Sequence, residues 1–198
     1  KPGHELAQVL PELCASCGIC AGACPSSTPF RSVEQLVTGI DMPQQPIGAL
    51  RQDMARRIAA LTGPVKIAVF GCECAAGAGA VEDQGTAVMN LMCTGLLPPS
   101  FVEYALRGGA DGVLVTGCRE GSCAYRFGTQ WTEQRLAGQR EQHLRLGVPA
   151  ERLRIAYADD LFDRIASGSH RTDAMIVCPC SMGFVASVAH GLADDLPE

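Results

Sequence analysis

Four cysteines near the start of this sequence are spaced for metal–sulfur chemistry. Cys14, Cys17, Cys20 and Cys24 are separated by two, two and three residues, and Pro25 follows the last of them. Thiolates at this spacing can surround a single 4Fe–4S cluster, provided that the short segments between them turn tightly. Alanine, serine, glycine and isoleucine fill the first two segments, and glycine accepts backbone angles that a side chain would resist. We therefore predict that these four cysteines bind a 4Fe–4S cluster.

The fourth ligand of this predicted cluster has an alternative. In proteins with two such clusters, the cysteine before the proline binds the other cluster, but this chain contains the C-x2-C-x2-C motif once. The remote pair Cys178-Pro179 could therefore supply the last thiolate in place of Cys24. Cys178 and Cys180 could instead form a redox pair, a further metal site, or two semi-buried thiols at a turn.

Five more cysteines lie in the middle of the chain, among glycines. They are Cys72, Cys74, Cys93, Cys118 and Cys123. Apolar runs predict strands over residues 65–70, 86–92 and 112–116, and a cysteine follows each run within two residues. The carboxyl ends of parallel strands meet at one edge of an open sheet, where ligands bind. We therefore expect these cysteines to converge with Cys178, which follows a strand predicted over 174–177, although they are far apart in the sequence.

The elements that position these cysteines alternate along the chain. Further strands are predicted over 153–157 and 174–177, and helices over 98–107, 130–146, 159–166 and 183–192. Alternating strands and helices are typical of a parallel open sheet with flanking helices, so the predicted fold class is α/β. Within the second of these helices, we expect Glu133, Arg135, Glu141 and Arg145 to form a solvated face.

The sequence divides into three predicted parts. Residues 1–45 form a small ferredoxin-like 4Fe–4S unit that precedes the sheet, and its tail, 42–46, is rich in proline and glutamine. Residues 46–64 form a linker helix, in which apolar residues from Leu50 to Leu61 recur on one face at spacings of four, four and three. Residues 65–198 form the α/β domain.

Composition restricts the function classes. The chain has 198 residues, a net charge of −5 and no basic block, so nucleic acid is not an expected partner. The 11 cysteines, many at ligand spacing, indicate a reducing compartment rather than a secreted disulfide scaffold. Residues 174–193 carry no charged side chain, but a strand, a turn and a buried helix explain them better than a membrane span. We expect a cytoplasmic protein, which partners could attach to a membrane complex.

Between residues 69 and 154, a series of short motifs occurs in a specific order. The motifs are Val69-Phe-Gly-Cys72, Leu91-Met-Cys93-Thr-Gly95, Gly109-Ala-Asp-Gly-Val-Leu-Val-Thr-Gly-Cys118-Arg-Glu-Gly-Ser-Cys123-Ala-Tyr125 and Leu146-Gly-Val-Pro-Ala-Glu151-Arg-Leu153-Arg. In this order, they resemble the delta-subunit domain of methyl-viologen-reducing hydrogenase, and the similarity covers roughly residues 65–165.

This resemblance implies a 2Fe–2S cluster and a role in passing electrons. The family's domain carries such a cluster, and it connects a hydrogenase or formate dehydrogenase to the flavoprotein subunit of heterodisulfide reductase. The ligands that the resemblance implies are Cys72, Cys93, Cys118 and Cys123. Two positions depart from the family pattern. Ala75 stands where the second cysteine of a C-x2-C pair is usual, which leaves Cys74 as an alternative ligand, and Ala124 replaces a histidine.

The predicted function is one-electron transfer without bond-making on a substrate. The chain would then be a non-catalytic component of an oxidoreductase complex, between a hydrogenase, dehydrogenase or cytochrome and a heterodisulfide-reductase-like flavoprotein. Two alternatives stay open. Four-cysteine sites at similar spacing also bind zinc, which would make this chain a zinc-stabilised interaction module. Cys178 and Cys180 could make it a thiol–disulfide redox protein.

Overall fold

The computed structural model describes residues 9–25, 40–73, 81–118, 121, 123–145 and 147–156, and these residues contain a four-stranded sheet. The strands are β1 (Ile67–Cys72), β2 (Thr86–Leu91), β3 (Gly112–Thr116) and β4 (Leu153–Ile155). Their order across the sheet is β2-β1-β3-β4, and each neighbouring pair is parallel. The prediction of an α/β fold with a parallel open sheet is confirmed.

The pairing register brings the carboxyl ends of the central strands side by side. Cys72 in β1 pairs with Leu91 in β2, and Gly71 pairs with Thr116 in β3. All residues of β1 except the first are buried, as expected of a central strand in a sheet that is covered on both faces. Residues just beyond these three strand ends therefore lie next to one another.

Helices flank the sheet, as predicted. They are α1 (Ile19–Gly22), α2 (Ile47–Ala60), α3 (Ser100–Arg107) and α4 (Gly128–Leu136). The apolar face of α2 is buried, and its Leu50 and Ile58 share a core cluster with Phe70 of β1. Val69 and Val88 belong to a separate, smaller cluster, because successive strand residues point to opposite faces of the sheet. Packing of this kind fixes the strand ends relative to the helices.

The segment before α2 is attached to the end of β2. Met42 is fully buried. The side-chain amide of Gln45 donates to the carbonyl oxygen of Asn90 at 2.6 Å, and its side-chain oxygen accepts from the backbone N–H of Met92 at 3.1 Å. Met92 directly precedes Cys93, so this segment holds one of the strand ends at which cysteines were expected to gather.

Helix α4 ends at Leu136, whereas the sequence predicted a helix to residue 146. Gly138 has a φ of +77°, a left-handed conformation that glycine adopts without strain. The backbone N–H of Gln139 donates to the carbonyl of Gln134, and that of Gly138 donates to the carbonyl of Arg135. These two bonds form a Schellman motif, which satisfies the last carbonyls of a helix and ends it.

Several predicted features lie outside the described residues. They are Cys74, Cys178, Cys180 and the elements predicted over 159–166, 174–177 and 183–192. Among the residues that are described, no helix combines the length and the apolar character that a membrane span requires.

Candidate metal centre

Two cysteines meet at the ends of neighbouring strands. Cys72 is the last residue of β1, and Cys118 follows β3 by two residues. Their Sγ atoms are 3.8 Å apart. Two thiolates on one tetrahedral metal ion, with metal–sulfur bonds of about 2.3 Å, stand about 3.8 Å apart. The spacing of this pair therefore suits two ligands of a single iron or zinc ion.

A second pair of cysteines lies at the amino end of α4. A methyl group placed on Gly128 would overlap the Sγ atom of Cys93 and lie 3.2 Å from the Sγ atom of Cys123. Both sulfur atoms therefore face the same point on the helix backbone. The backbone N–H of Gly95 also donates to the Sγ atom of Cys93 at 3.4 Å. Glycine at position 128 leaves the space that this pair occupies.

Burial and mutual proximity raise the pKa of two of these thiols. A hydrogen bond with Cys72 is the main cause that raises the pKa of Cys93, and burial is the next. Burial raises the pKa of Cys118 to about 12, and the neighbouring Cys72 adds to the rise. A bound metal cation reverses this balance, because it stabilises the thiolate form. Without a cation, Cys93 and Cys118 are neutral thiols at neutral pH.

The four sulfur atoms are arranged as two neighbouring pairs. In the described ranges, no group of three or more His, Cys, Asp and Glu side chains is placed to hold a single metal ion. Cys72 links the two pairs, because it contacts Cys118 directly and is hydrogen-bonded to Cys93. Cys72, Cys93 and Cys123 are buried, and Cys118 is half-buried. The expected convergence is thus present for Cys72, Cys93 and Cys118, whereas Cys178 lies outside the described residues.

The first cysteine motif wraps around a short helix. Ser16 and Gly18 both have left-handed backbone angles, with φ of 60° and 71°, so the chain turns sharply between its first cysteines. The backbone N–H of Ser16 donates to the Sγ atom of Cys14 at 3.3 Å. Burial raises the pKa of Cys20, and the nearby thiols of Cys17 and Cys14 add to the rise. Cys14 and Cys17 therefore both lie near Cys20.

Cys24 stands beyond the end of this helix. Its backbone N–H donates to the carbonyl of Ala21 at 3.2 Å, and its side chain is half-buried. The rival fourth ligand, Cys178, lies outside the described residues. The choice between these two cysteines therefore stays a prediction.

The two cysteine groups are in direct backbone contact. Helix α1 packs on the 3₁₀ helix Thr94–Leu96, which follows Cys93 immediately. A methyl group on Gly22 would overlap the carbonyl oxygen of Gly95 and lie 2.6 Å from that of Leu96. Apart from the presence of glycine on both sides, no pattern in the sequence predicted this long-range contact.

Arg135 is a buried residue beside this site, so the prediction of a solvated face is wrong for it. Its side chain is 1% exposed, whereas Glu133, Glu141 and Arg145 are exposed as expected. The sequence did contain an indication of this burial. Gly128, Thr132 and Arg135 are spaced four and three residues apart, so they share one face of α4. The two small residues on that face allow close packing against the cysteines.

Several proteins similar to this chain are named as subunits of a heterodisulfide reductase or of a hydrogenase. One of the subunits of the ferredoxin:CoB-CoM heterodisulfide reductase of Methanosarcina mazei is 42% identical over 67 residues, which cover 34% of this chain and 8% of the relative. An iron-sulfur subunit of the F420-non-reducing hydrogenase of Archaeoglobus profundus is 36% identical over 70 residues, which cover 35% of this chain and 51% of the relative. The chain therefore spans about half of one relative and a small part of the other.

The carboxyl-terminal segment has a different similarity, which the sequence prediction missed. Residues 148–198 match the sequence model of the family described as Flavoprotein. The chain is also similar to a flavin prenyltransferase of Deinococcus radiodurans, which is 57% identical over 37 residues that cover 19% of each chain. The described residues include only the beginning of this segment, up to residue 156.

The cysteine site lies within the part of the chain that matches a second family. Residues 66–166, half of the chain, match the sequence model of the methyl-viologen-reducing hydrogenase delta subunit. They include β1 to β4 and the four cysteines Cys72, Cys93, Cys118 and Cys123, which together form the strand-end site. The predicted resemblance is confirmed, and the chain belongs to the family of the methyl-viologen-reducing hydrogenase delta subunit.

Proposed function

We propose that this chain is an electron-transfer module that binds a 2Fe–2S cluster through Cys72, Cys93, Cys118 and Cys123. The observation that carries the proposal is the convergence of these four side chains at the carboxyl edge of the parallel sheet. When bound, such a cluster accepts and releases single electrons without bond-making on a substrate. The protein's own part is to hold the ligands, exclude water and set the potential.

The site suits a two-iron cluster better than a single zinc ion. A structural zinc site closes four ligands tightly around one ion. The four sulfur atoms of the described residues instead form two pairs side by side, and each pair can serve one iron. Burial of three of the four thiols supports the same assignment, because a cluster requires shelter from water and its potential depends on burial.

A 4Fe–4S cluster on Cys14, Cys17, Cys20 and Cys24 completes the proposal, with Cys178 as the alternative fourth ligand. The motif spacing and the proximity of Cys14, Cys17 and Cys20 support it. The packing of α1 against the turn that follows Cys93 supports a short path between the two centres. An electron that enters through one centre would leave through the other.

The proposed partners are a heterodisulfide-reductase-like flavoprotein on one side and a hydrogenase, formate dehydrogenase or cytochrome on the other. The names of the relatives support this proposal, because they are subunits of heterodisulfide reductase and of F420-non-reducing hydrogenases. In this arrangement the chain would work in the cytoplasm and reach a membrane complex only through a partner.

Anaerobic purification with metal analysis tests the proposal. We expect a brown protein with roughly six irons per chain, four from one cluster and two from the other, and two distinguishable EPR signals after reduction. Cys72→Ser should remove only the 2Fe–2S signal, and Cys20→Ser only the 4Fe–4S signal, so each variant is the control for the other. A colourless protein with stoichiometric zinc would overturn the proposal in favour of the zinc-stabilised module.

The same measurement decides between Cys24 and Cys178. If Cys24 is the fourth ligand, Cys24→Ser should lose the 4Fe–4S signal and Cys178→Ser should keep it. The reverse result would assign Cys178. If both variants keep their clusters and replacement of Cys178 and Cys180 abolishes a disulfide-exchange activity, the thiol–disulfide alternative gains support.

A second candidate function is flavin binding by residues 148–198. The match to the Flavoprotein family and the similarity to a flavin prenyltransferase favour it. A bound flavin would give the chain its own two-electron partner for the one-electron centres. Absorption near about 450 nm and release of a fluorescent flavin on denaturation test this candidate. A chain truncated after residue 166, which keeps β4 and the whole match to the delta-subunit family, is the control and should lose the flavin. A full chain that binds no added flavin would contradict this candidate.

A further inference from the structure

We propose that Arg135 supplies the buried positive charge that sets the reduction potential of the strand-end centre. In this role Arg135 is a positioning residue, since it acts on the electrostatics of the site and is not itself a ligand. The inference rests on the proposed 2Fe–2S function.

The guanidinium of Arg135 is buried and incompletely bonded. Its Nη2 atom donates to the carbonyl of Gly95 at 2.7 Å and to the hydroxyl of Thr132 at 3.2 Å, and its Nε atom donates to the carbonyl of Trp131 at 3.3 Å. The third nitrogen, Nη1, has no hydrogen-bond partner among the described residues. No carboxylate in the described ranges pairs with this cation.

A buried cation without an anion is costly, so its presence needs a reason. Removing a charge from water costs several kcal/mol unless an opposite charge compensates. Burial, with a smaller effect of the neighbouring Arg140, lowers the pKa of Arg135 to about 10, whereas Cys93 acts in the opposite direction. Among these groups the cysteine site is the source of negative charge, because its thiols become thiolates when a metal binds.

The other incompletely bonded atoms lie at the same edge of the sheet. Besides Arg135 Nη1, the hydroxyls of Thr94 and Thr116 are buried without a hydrogen-bond partner in the described part of the chain. Thr94 follows Cys93, and Thr116 ends β3 two residues before Cys118. Buried polar groups are normally paired, so an orphan set in one place indicates an absent acceptor. Cluster sulfurs are such acceptors, and hydrogen bonds to them help to set the potential.

The sign of the expected effect follows from charge. A two-iron cluster with four thiolate ligands is a dianion when oxidised and a trianion when reduced. A nearby cation therefore stabilises the reduced form more than the oxidised form, and it raises the potential. Loss of the cation should make the centre harder to reduce.

Redox titration of the purified protein, followed by EPR, tests the inference. Arg135→Gln removes the charge and keeps a polar side chain, and we expect the ratio of reduced to oxidised centre at a fixed potential to fall about tenfold. For a one-electron centre this corresponds to a midpoint lowered by about 59 mV. Arg135→Lys keeps the charge and should stay within about threefold of wild type.

Arg152→Gln is the matched charge control. Its guanidinium donates to the carbonyls of Ala110 and Asp111, which precede β3, so it lies at the opposite end of that strand from Cys118. The substitution removes the same charge as Arg135→Gln, but at a distance from the cysteines where water and salt screen the effect. The midpoint of this variant should stay at the wild-type value.

The outcomes separate the inference from the function on which it rests. If wild type binds no 2Fe–2S cluster, the proposed function fails. If wild type binds the cluster and Arg135→Gln has an unchanged midpoint, only the inference fails. If Arg135→Gln loses the cluster, Arg135→Lys decides between the two roles. A retained cluster with a near-wild-type midpoint in Arg135→Lys supports the role of the charge. Loss of the cluster in Arg135→Lys as well overturns the inference in favour of a purely steric role.

Discussion

Position 128 has no room for a side chain, because the sulfur atoms of two cysteines lie where a Cβ atom would be placed or next to that point. Gly128 opens α4 between the sulfur atoms of Cys93 and Cys123. Because the helix backbone lies directly against two of the proposed ligands, the site depends on one glycine as much as on its cysteines. Sulfur atoms held this closely have little freedom to adopt other positions.

Gly128→Ala is therefore expected to damage the site. The added methyl would overlap the Sγ atom of Cys93, and neither the buried thiol nor the helix can move freely. Overpacking of this kind costs about 1–3 kcal/mol of the free energy of unfolding. We also expect a large loss of cluster content, measured as iron and sulfide per chain.

Gly48→Ala is the control for this substitution. Gly48 lies in α2, and no atom approaches within 4 Å of a methyl group placed on it. Alanine in a helix is favoured over glycine by about 0.5–1 kcal/mol, so this variant should gain slightly in stability and keep its clusters. Equal cluster content in the two variants would contradict the close approach at position 128.

The Cys118 thiol should make the metal-free chain less stable as the pH rises in the alkaline range. The folded state raises the pKa of this thiol to about 12, mainly through burial, above its ordinary value of 9.0. Between these two values the unfolded chain has lost a proton that the folded chain retains, so stability falls as pH rises. Urea unfolding at about pH 8 and about pH 11 should therefore show a smaller pH effect in Cys118→Ser than in wild type.

Cys14→Ser separates this effect from general alkaline destabilisation. Any general effect of alkaline pH acts in every variant, so only the difference between variants is informative. If Cys14→Ser and Cys118→Ser reduce the pH effect equally, the shift at Cys118 is not its cause. Metal binding should remove the effect in wild type, since the bound thiolates no longer titrate.

The elements show how far local sequence determines this fold. The strands that precede Cys72, Cys93 and Cys118 were predictable from short apolar runs, and their parallel pairing made the convergence of cysteines predictable too. The end of α4 was not predictable, because polar residues continue past Gly138 and the helix ends through the left-handed conformation of that glycine. Arg135 was misjudged for a related reason: a charged residue is normally exposed, and burial depends on what packs against the helix.

Helix α2 should contribute strongly to the stability of the sheet. Met54 is 2% exposed and belongs to the main core cluster. Met54→Ala removes buried methylene and sulfur contacts and leaves a cavity, which costs about 2–5 kcal/mol. The measurement is the urea midpoint of the folded chain. Gln52→Ala on the exposed face of the same helix is the control, and a similar loss in both variants would contradict the packing of α2 against the sheet.

At the scale of the whole molecule, the two cysteine groups meet through close backbone packing at Gly22 and through the side chains of Ile19 and Leu96. Helix α1 lies on the turn Thr94–Leu96, and α4 packs on the same turn from another side. That turn directly follows Cys93, so a displacement of α1 would also move residues next to the strand-end site. No pattern within either segment predicts this contact, because it depends on how distant parts of the chain pack.

Gly22→Ala tests whether this contact carries electrons or only stability. The added methyl would overlap the carbonyl of Gly95 and approach that of Leu96 to 2.6 Å, and backbone atoms yield less easily than side chains. We expect the free energy of unfolding to fall by about 1–3 kcal/mol and electron exchange between the two centres to slow, with both clusters retained. Freeze-quench EPR after rapid reduction measures the exchange, and Gly48→Ala is again the control. A variant that loses stability but exchanges electrons at the wild-type rate would show that the α1 contact serves folding alone, and that the path between the centres runs elsewhere.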